Sequence, residues 1–227
     1  MKRKLHQNGR MGFVDDDGNW VIPPMYECSH PAYTGSNMKK KQHQNGRYGF
    51  VDDKGNWVIP PMFDWAGPFT YGFARVNINK KFGYIREDGS YLVPPTCEMA
   101  KSFYGDMAIV TSNGKKGYIN SLGEVMIPFK FDDATNFSSF KYAIVSIDDK
   151  QGIINRDGSY IAQPIYDAVV YLHTCIAVSL NGKYGALTPS GEEILPCEYD
   201  DLRYDWFHDT LYAKQGTEWY RIEWSSK

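Results

Sequence analysis

Apolar residues along this chain recur in short runs, and the pattern predicts β-strands rather than helices. The stretch GFVDDKGNWVIPP, residues 49–61, contains a short apolar run, a polar turn closed by Gly55 and a second apolar run. Two such runs around a glycine turn are typical of a β-hairpin, because glycine tolerates a positive φ. Pro60 and Pro61 follow, and since proline donates no backbone hydrogen bond, we expect them to end the strand pairing. No helical period of useful length competes with this pattern, so we expect little helix.

The hairpin pattern returns along the chain at nearly constant spacing. NGRMGFVDDDGNWVIPP, residues 8–24, reappears as NGRYGFVDDKGNWVIPP, residues 45–61, with two substitutions. Counted from the first glycine of each hairpin, the copies begin at Gly12, Gly49, Gly83, Gly117, Gly152 and Gly185. Tandem copies at this spacing indicate a repeat array, in which each unit packs on its neighbours.

Each unit continues into a third apolar segment, such as GFARV at 72–76, so the repeat is predicted to be a three-strand meander. The stretch SHPAYTGSNMKKK, residues 29–41, lacks this segment, and we expect the first unit to be remodelled there. In a terminal half unit, Trp219 takes the place of the first glycine. The chain is therefore predicted to be one all-β domain, 1–227, with units at about 8–44, 45–79, 80–112, 113–148, 149–180 and 181–214 and a cap at 215–227.

The return strand of each hairpin opens with three consecutive positions that are mostly apolar. The first of them is aromatic in most units: Trp20, Trp57, Tyr91 and Tyr160. Three apolar positions in a row predict that both strand faces are covered, so we expect these aromatics to be buried between units. Glu193 takes this position in the last full unit and fits a less covered outer face. The unequal ends favour an open superhelical solenoid, with a closed propeller-like ring as the alternative.

Charge and hydropathy restrict the partners. The formal net charge of −2 over 227 residues gives no global basic field, so we expect no nucleic-acid partner. No apolar run is long enough to cross a bilayer, and the start lacks the apolar segment of a secretion signal. We therefore expect no membrane insertion and a cytoplasmic protein, or a secreted or surface protein if the N-terminus has been trimmed.

Residue types that carry catalysis or bind metals do not form a site in the sequence. The four cysteines, Cys28, Cys97, Cys175 and Cys197, match neither a disulfide ladder nor metal spacing, so we expect reduced, packed thiols. The glycines belong to hairpins rather than to a phosphate-binding loop, and no nucleophile has an identifiable base. We expect no catalytic residue, no metal and no cofactor.

Charged residues recur once in each unit. A basic residue stands two positions before the first glycine, at Arg10, Arg47, Lys81, Lys115, Lys150 and Lys183. An acid follows the return strand, at Glu27, Asp64, Glu98, Asp132, Asp167 and Asp200. We interpret the acids as acceptors of backbone N–H groups where the chain turns after the prolines, and the basic residues as solvated or paired with the acids. A calcium-binding or catalytic carboxylate ladder, and an anion-binding basic stripe, remain the alternatives.

Aromatic residues give the strongest binding signal. The chain contains 17 tyrosines, 12 phenylalanines and 6 tryptophans, and Tyr and Trp are the usual anchors of protein interfaces. The candidates lie in corners where the repeats diverge, at 28–35, 64–71 and 200–209. The last corner is expected to be an enlarged loop that either binds a partner or caps the array. The candidate partner-binding residues are Arg203, Tyr204, Trp206, Phe207, Tyr33, Trp65, Phe69 and Tyr71.

The pattern NGRYGFVDDKGNWVIPPMFD, together with FTYGFARV, resembles the bacterial WG-containing repeat family. The resemblance spans all six units and implies an all-β repeat array that serves as an interaction or surface module, with no catalytic residues. The tryptophan that names the family is absent. Its positions hold Met11, Tyr48, Phe82, Lys116, Gln151 and Tyr184.

The function we expect is a non-enzymatic protein-binding scaffold of a bacterial type, with an adaptor or immunity role as one version. A carbohydrate-binding surface protein is the first alternative, and burial of the repeated aromatics would count against it. A propeller-type glycosidase is the second alternative, and it requires two of the repeated acids within about 10 Å of each other across a pocket.

Overall fold

A computed structural model describes the backbone of residues 2–5, 10–14 and 20–27, and residues 37–137, 142–172 and 174–223 with their side chains. All of the regular secondary structure in these ranges is β-strand. The predicted all-β class is therefore confirmed.

The strands form seven antiparallel sheets in chain order. The first two sheets have three strands each: β1 (Lys2–Leu5), β2 (Arg10–Val14) and β3 (Trp20–Glu27), then β4 (Lys39–Gln42), β5 (Tyr48–Val51) and β6 (Trp57–Phe63). The third sheet contains β7 (Trp65–Thr70), β8 (Phe73–Ile78), β9 (Lys81–Arg86) and β10 (Tyr91–Cys97). The fourth contains β11 (Met99–Ala100), β12 (Met107–Ser112), β13 (Lys115–Asn120) and β14 (Val125–Phe131).

The last three sheets repeat the same arrangement. The fifth contains β15 (Asp133–Ala134), β16 (Tyr142–Ile147), β17 (Lys150–Asn155) and β18 (Tyr160–Tyr166). The sixth contains β19 (Ala168–Tyr171), β20 (Ile176–Leu180), β21 (Lys183–Leu187) and β22 (Glu193–Tyr199), and the seventh contains β23 (Asp201–Asp205), β24 (Thr210–Gln215) and β25 (Glu218–Ile222). Strands that follow one another in sequence are neighbours in each sheet, and none of these sheets closes into a barrel. This order is consistent with a solenoid or a propeller-like arrangement, and the choice of an open array stays a prediction.

The sheets do not begin where the sequence units begin. The third segment of one unit pairs with the first strand of the next unit, as β8 does with β9, where Val76 lies opposite Gly83. Each unit counted from its glycine therefore straddles two sheets. The first unit also has its third strand, since β4 pairs with β5. This strand is not the small-apolar strand of the other units, since it consists of three lysines and a glutamine, all exposed.

Strand pairing continues past the two prolines. Phe50 pairs with Ile59, and the next pair is Tyr48 with Phe63, so two residues advance on β5 while four advance on β6. The intervening residues form a bulge that contains both prolines. The prediction that the prolines end the pairing is wrong, because bulged residues need not donate to the ladder and proline is tolerated among them.

The bulge explains the first glycine of each unit. A Cβ on Gly152 would lie 2.6 Å from the backbone nitrogen of Pro164 and 2.7 Å from the carbonyl oxygen of Ala162. Both distances are far below van der Waals contact, so a side chain at this position would displace the bulged strand. Gly117 and Gly185 meet the same obstacle in their own sheets.

The seventh sheet departs from this rule. Ala213 pairs with Tyr220 as Val76 pairs with Gly83, so Tyr220 holds the glycine position and Trp219 lies one residue before it. The prediction for Trp219 is wrong by one residue, because the turn between β24 and β25 falls at 216–217.

The second glycine of each hairpin connects successive sheets. Gly89, Gly123 and Gly158 all have φ of 84°, as the hairpin pattern predicts. A Cβ on Gly123 would lie 2.9 Å from the carbonyl oxygen of Leu92, in the preceding sheet. The hairpin turn of one sheet therefore packs against the last strand of the sheet before it.

The core lies between successive sheets, and two of the repeated aromatics lie outside it. Trp57 is 37% exposed and Tyr91 is 38% exposed, while Ile59 and Ile127, two residues further along their own return strands, are buried. The prediction that these aromatics are buried is wrong for Trp57 and Tyr91, while Tyr160 is half-buried against the core and the side chain of Trp20 lies outside the described residues. Each return strand is the edge strand of its sheet, so its first two positions stay accessible to solvent.

Candidate functional site

The segment 201–209 is a strand followed by a tight turn rather than the enlarged loop that the sequence suggested. β23 pairs with β24 along its whole length, from Asp201 opposite Lys214 to Asp205 opposite Thr210. The turn at 206–209 forms the tip of this hairpin, the hairpin tip. The alternating exposure of β23 and its ladder with β24 fix the direction in which the tip projects.

Asp205 holds the front of the hairpin tip. One oxygen of its carboxylate accepts the N–H of Phe207 at 2.9 Å and that of His208 at 3.3 Å. The other oxygen lies 2.8 Å from Nδ1 of His208. The imidazole contact first, and the backbone N–H groups after it, lower the pKa of Asp205. The carboxylate therefore stays ionised and keeps the turn closed.

Asp209 holds the back of the hairpin tip. The hydroxyl of Tyr204 donates to its carboxylate, and the hydroxyl of Thr174 donates to the same oxygen at 3.0 Å. Thr174 precedes β20, so this contact joins the tip to the preceding sheet. Thr210 is buried next to the tip, and its hydroxyl donates to the carbonyl of His208 at 2.9 Å.

Two aromatic side chains project from the hairpin tip. Trp206 is 65% exposed, and its ring packs edge-on against Tyr204 with the ring centroids 4.8 Å apart. Phe207 is 96% exposed. An apolar pair this accessible, on a turn fixed at both ends, is typical of a binding surface.

A polar cavity of about 220 Å³ lies beside the tip. Its lining consists of Thr174, His208, Asp209, Thr210, Arg221, Ile222 and Glu223. The tip therefore combines an apolar projection with a neighbouring surface that carries both signs of charge.

The structure separates the remaining predicted residues from the tip. Arg203 is exposed on β23, opposite Tyr212. Trp65 is half-buried, with the guanidinium of Arg75 4.7 Å from its ring centroid. Tyr33 lies outside the described residues.

Phe69 and Tyr71 have opposite environments. Phe69 is buried, with its ring centroid 4.7 Å from that of Phe50, so it belongs to the core and does not present a surface to a partner. Tyr71 is exposed in the turn between β7 and β8, where its φ is 54°. Within the predicted set, the structure brings together Tyr204, Trp206 and Phe207.

Sequence reasoning missed the residues that hold the tip in place. Asp205, Asp209 and Thr174 were not among the candidates, although an Asp placed two and three residues before Phe207 and His208 matches an Asx turn. Nothing in the sequence connects Thr174 to Asp209, since they are 35 residues apart.

The repeated acids accept turn N–H groups, but the turn is not the one after the prolines that the sequence suggested. Asp167 accepts the N–H of Asn181 at 2.6 Å, in the turn between β20 and β21, and forms an ion pair with Lys150. The same two contacts, to a turn N–H and to a basic side chain, hold Asp64, Asp132 and Asp200. Glu98 accepts the N–H of Gly114 at 2.8 Å. The turn lies well downstream of the prolines, in the next hairpin along the chain.

The described ranges contain no group of three or more His, Cys, Asp or Glu residues arranged to hold a metal ion. In the same ranges, no helix has the length and apolar character needed to cross a membrane.

The repeated sheets, the glycine positions under each bulge and the paired acids define a β-repeat scaffold. The family described as WG containing repeat matches residues 11–27, 48–82, 82–115, 117–150, 152–184 and 184–216. The chain belongs to this family. A comparison with curated proteins finds no match.

Several solved structures resemble the chain at low identity, and one of them is described as a WD40 β-propeller domain. Kluyveromyces lactis Hsv2 has 12% identity and a TM-score of 0.36 over 63% of this chain and 53% of its own. A eukaryotic initiation factor has 11% identity and a TM-score of 0.43 over 82% of this chain and 60% of its own. The WD40 β-propeller domain of Doa1 has 10% identity and a TM-score of 0.32 over 79% of this chain and 72% of its own. The chain thus spans between half and two thirds of the first two proteins, and likeness at this level carries no argument about function.

Proposed function

We propose that this chain is a non-enzymatic protein-binding scaffold, an adaptor that engages a protein partner through its hairpin tip. The observation that carries the proposal is the exposure of Phe207, at 96%, beside Trp206 on a turn held by Asp205 and Asp209. Aromatic side chains of this kind are the usual anchors of protein interfaces.

The fixed backbone of the tip favours binding. Ordering a flexible loop on association costs free energy, and that cost is reduced when the bound conformation already exists. The Asp205 contacts and the Thr174, Tyr204 and Asp209 contacts supply this preorganisation. The partner then needs an apolar pocket for the two rings, with a polar rim that faces Arg221 and Glu223.

The paired acids support the non-enzymatic part of the proposal. Asp132, Asp167 and Asp200 are each engaged by a lysine and by an N–H of the turn in the following hairpin. Their contacts account for their recurrence once per repeat without a catalytic role. These contacts favour a structural role for the acids over the glycosidase alternative.

The proposal is tested by affinity capture with quantitative mass spectrometry. The bait is the full chain, compared with a Trp206→Ala, Phe207→Ala variant and with a control variant, Tyr104→Ala, Val170→Ala, that removes exposed apolar surface from two other sheets. We expect one protein to be captured equally by the wild type and the control and to be lost with the tip variant. Equal capture by all three baits would contradict the proposal.

A second candidate function, carbohydrate binding, is favoured by one observation. Trp57 and Tyr91 occupy equivalent positions on β6 and β10, and both are more than one third exposed, so their rings are accessible for stacking on sugars. A glycan array probed with the wild type and with Trp57→Ala, Tyr91→Ala tests it. Binding that the double variant loses would support this function, and the absence of binding by the wild type would exclude it for the glycans tested.

A further inference from the structure

We infer that the outer face of the seventh sheet is an interaction surface for an acidic segment of a protein partner, a short stretch that presents two carboxylates. The centre of this surface is a row of three side chains across the sheet, called the arginine row: Arg203 on β23, Tyr212 on β24 and Arg221 on β25. The inference does not depend on what binds the two rings of the hairpin tip.

Strand pairing decides which side chains share this face. Residues opposite one another in an antiparallel ladder point to the same side of the sheet, and Tyr212 lies opposite both Arg203 and Arg221. The neighbouring residues of β24, Leu211 and Ala213, point to the other side and are buried against the sixth sheet. The arginine row therefore faces away from the sixth sheet.

In the fourth sheet, the equivalent positions belong to the core. Ile109 and Tyr118 hold the positions of Tyr212 and Arg221 there, and both are buried against the fifth sheet. In the seventh sheet, Arg221 and Arg203 are exposed and Tyr212 is half-buried. A ring between two exposed arginines thus replaces the apolar layer on this face.

A second row beside the first adds a cation and a ring. Lys214 lies opposite Trp219, with its ammonium 5.9 Å from the ring centroid. Trp219 is 44% exposed. The end unit of an array needs a polar outer face for solubility, and charged residues alone would supply it. An exposed tryptophan does not serve solubility, and it is one of the residue types that anchor interfaces.

Both guanidinium groups of the arginine row are available to a ligand. Among the described residues, neither Arg203 nor Arg221 forms an ion pair or a hydrogen bond. Arg47 and Arg156, by contrast, pair with Asp64 and Asp106. A guanidinium presents a planar fork of N–H donors that matches a carboxylate and is less strongly hydrated than an ammonium. Two such groups on either side of a ring fit two carboxylates.

Acids around the arginine row restrict the ligand. Asp201 and Asp205 stand two residues before and two residues after Arg203, so they share its face of β23. Glu223 follows Arg221 by two residues. A long polyanion such as a nucleic-acid strand would bring phosphates against these carboxylates, and like charges across an interface oppose binding. A short segment with one carboxylate for each arginine avoids them, so the face fits an acidic peptide better than nucleic acid.

The surface is tested by NMR with a capped peptide that carries two glutamates in a Gly/Ser frame, titrated to millimolar concentration into the full chain. The indole N–H resonance of Trp219, assigned with Trp219→Phe, reports binding because Trp219 and Arg221 share one face of β25. We expect a saturable shift of this resonance, and no shift with the same peptide carrying glutamine in place of glutamate. An equal shift with both peptides, or no shift with either, would overturn the inference.

Two variants locate the binding. Arg203→Gln, Arg221→Gln removes the charges of the arginine row, and Lys41→Gln, Lys54→Gln removes two exposed charges from the second sheet. We expect the lysine variant to bind the glutamate peptide as the wild type does. The arginine variant should bind it about tenfold more weakly, because two charge-assisted contacts are lost. All four side chains are exposed, so we expect both variants to fold. Equal affinity of the two variants would contradict a site at the arginine row.

A third titration separates the acidic peptide from nucleic acid. A short oligothymidylate is added to the wild type under the same conditions, with the Trp219 resonance as the reporter. We expect it to bind more weakly than the glutamate peptide, because the acids around the arginine row repel its phosphates. Tighter binding of the oligothymidylate would assign this face to nucleic acid and overturn the inference.

Discussion

At the scale of single residues, the first glycine of each repeat is required by the strand that crosses it. The bulge around the prolines brings backbone atoms of the return strand directly over the glycine Cα, as Pro164 and Ala162 do at Gly152. The glycine and the proline pair of a repeat are thus two parts of one contact. Gly105, just before β12, is not one of these glycines, and no strand crosses it. A Cβ built there meets nothing within 4 Å.

Gly152→Ala tests this contact. The new Cβ would overlap backbone atoms that have no room to move, and we expect a loss of about 3 kcal/mol or more in the free energy of unfolding. Gly105→Ala is the control, since it adds the same methyl group in open space and costs only the strain of a positive φ, about 1 kcal/mol. Urea denaturation measures both, and similar losses for the two variants would contradict the steric explanation.

Burial, rather than aromatic character, decides how much each ring stabilises the fold. We expect Phe131→Ala to lower the free energy of unfolding by about 3 to 5 kcal/mol, because its ring is fully buried between sheets. Trp57→Ala should cost about 1 kcal/mol, because its ring lies at an exposed edge and contacts the Lys41 ammonium, 5.5 Å from the ring centroid. Chemical denaturation compares them, and a larger loss for Trp57→Ala would place that ring in the core.

At the scale of elements, each hairpin turn is held by an acid from the sheet before it. The Lys150 ammonium, and after it the N–H of Asn181, lower the pKa of Asp167. Lys115 and Lys183 act in the same way on Asp132 and Asp200. These contacts form only when two successive sheets are in place, so they couple neighbouring repeats.

The coupling predicts a loss of stability in acid. The pKa of the three aspartates in the folded chain lies below the unfolded value of about 3.9, so their contribution is present above that value and is lost as the pH falls through the folded pKa. We expect a triple variant, Asp132→Asn, Asp167→Asn, Asp200→Asn, to melt below the wild type at pH 6. The difference should shrink as the pH falls below about 4. A difference in melting temperature that is the same at pH 6 and pH 3 would show that the charges do not contribute.

At the scale of the whole molecule, the array is a series of sheets that contact only through their faces and turns. The third and fourth sheets are further joined by Arg75, whose guanidinium donates to the carbonyl of Ala100 and stacks on Trp65. The equivalent positions of β12 and β16 carry isoleucine, whereas that of β4 carries Lys40, whose ammonium lies 5.9 Å from the Trp65 ring centroid.

Arg75→Ala should therefore cost about 2 kcal/mol, because it removes a charged hydrogen bond and the stacking on Trp65. Arg75→Lys keeps the positive charge but loses the planar guanidinium, and we expect it to recover only part of the loss. Thermal unfolding of the three proteins measures the series. If Arg75→Ala melted with the wild type, the link between these sheets would not contribute to stability.

Much of the fold follows from local pattern. Short apolar runs that alternate with polar turns predict the strands and hairpins. The spacing of the glycines predicts the repeats, and the recurring acids and bases predict contacts at turns. The bulge at the prolines could not be predicted from the sequence, because a proline pair that ends a strand and a proline pair that forms a bulge look the same there. For the candidate site, aromatic composition identified Trp206 and Phe207, but it also selected Phe69, which the structure places in the core.

The sequence by itself determined the class of the chain, its repeat, its hairpin turns and its family, because these depend on short-range spacing and on backbone preferences of glycine and proline. Only the tertiary structure decided which repeated aromatics are exposed and where one sheet ends and the next begins. The reason is physical. Burial and space depend on which strands lie next to one another, and in a tandem array those neighbours come from different repeats.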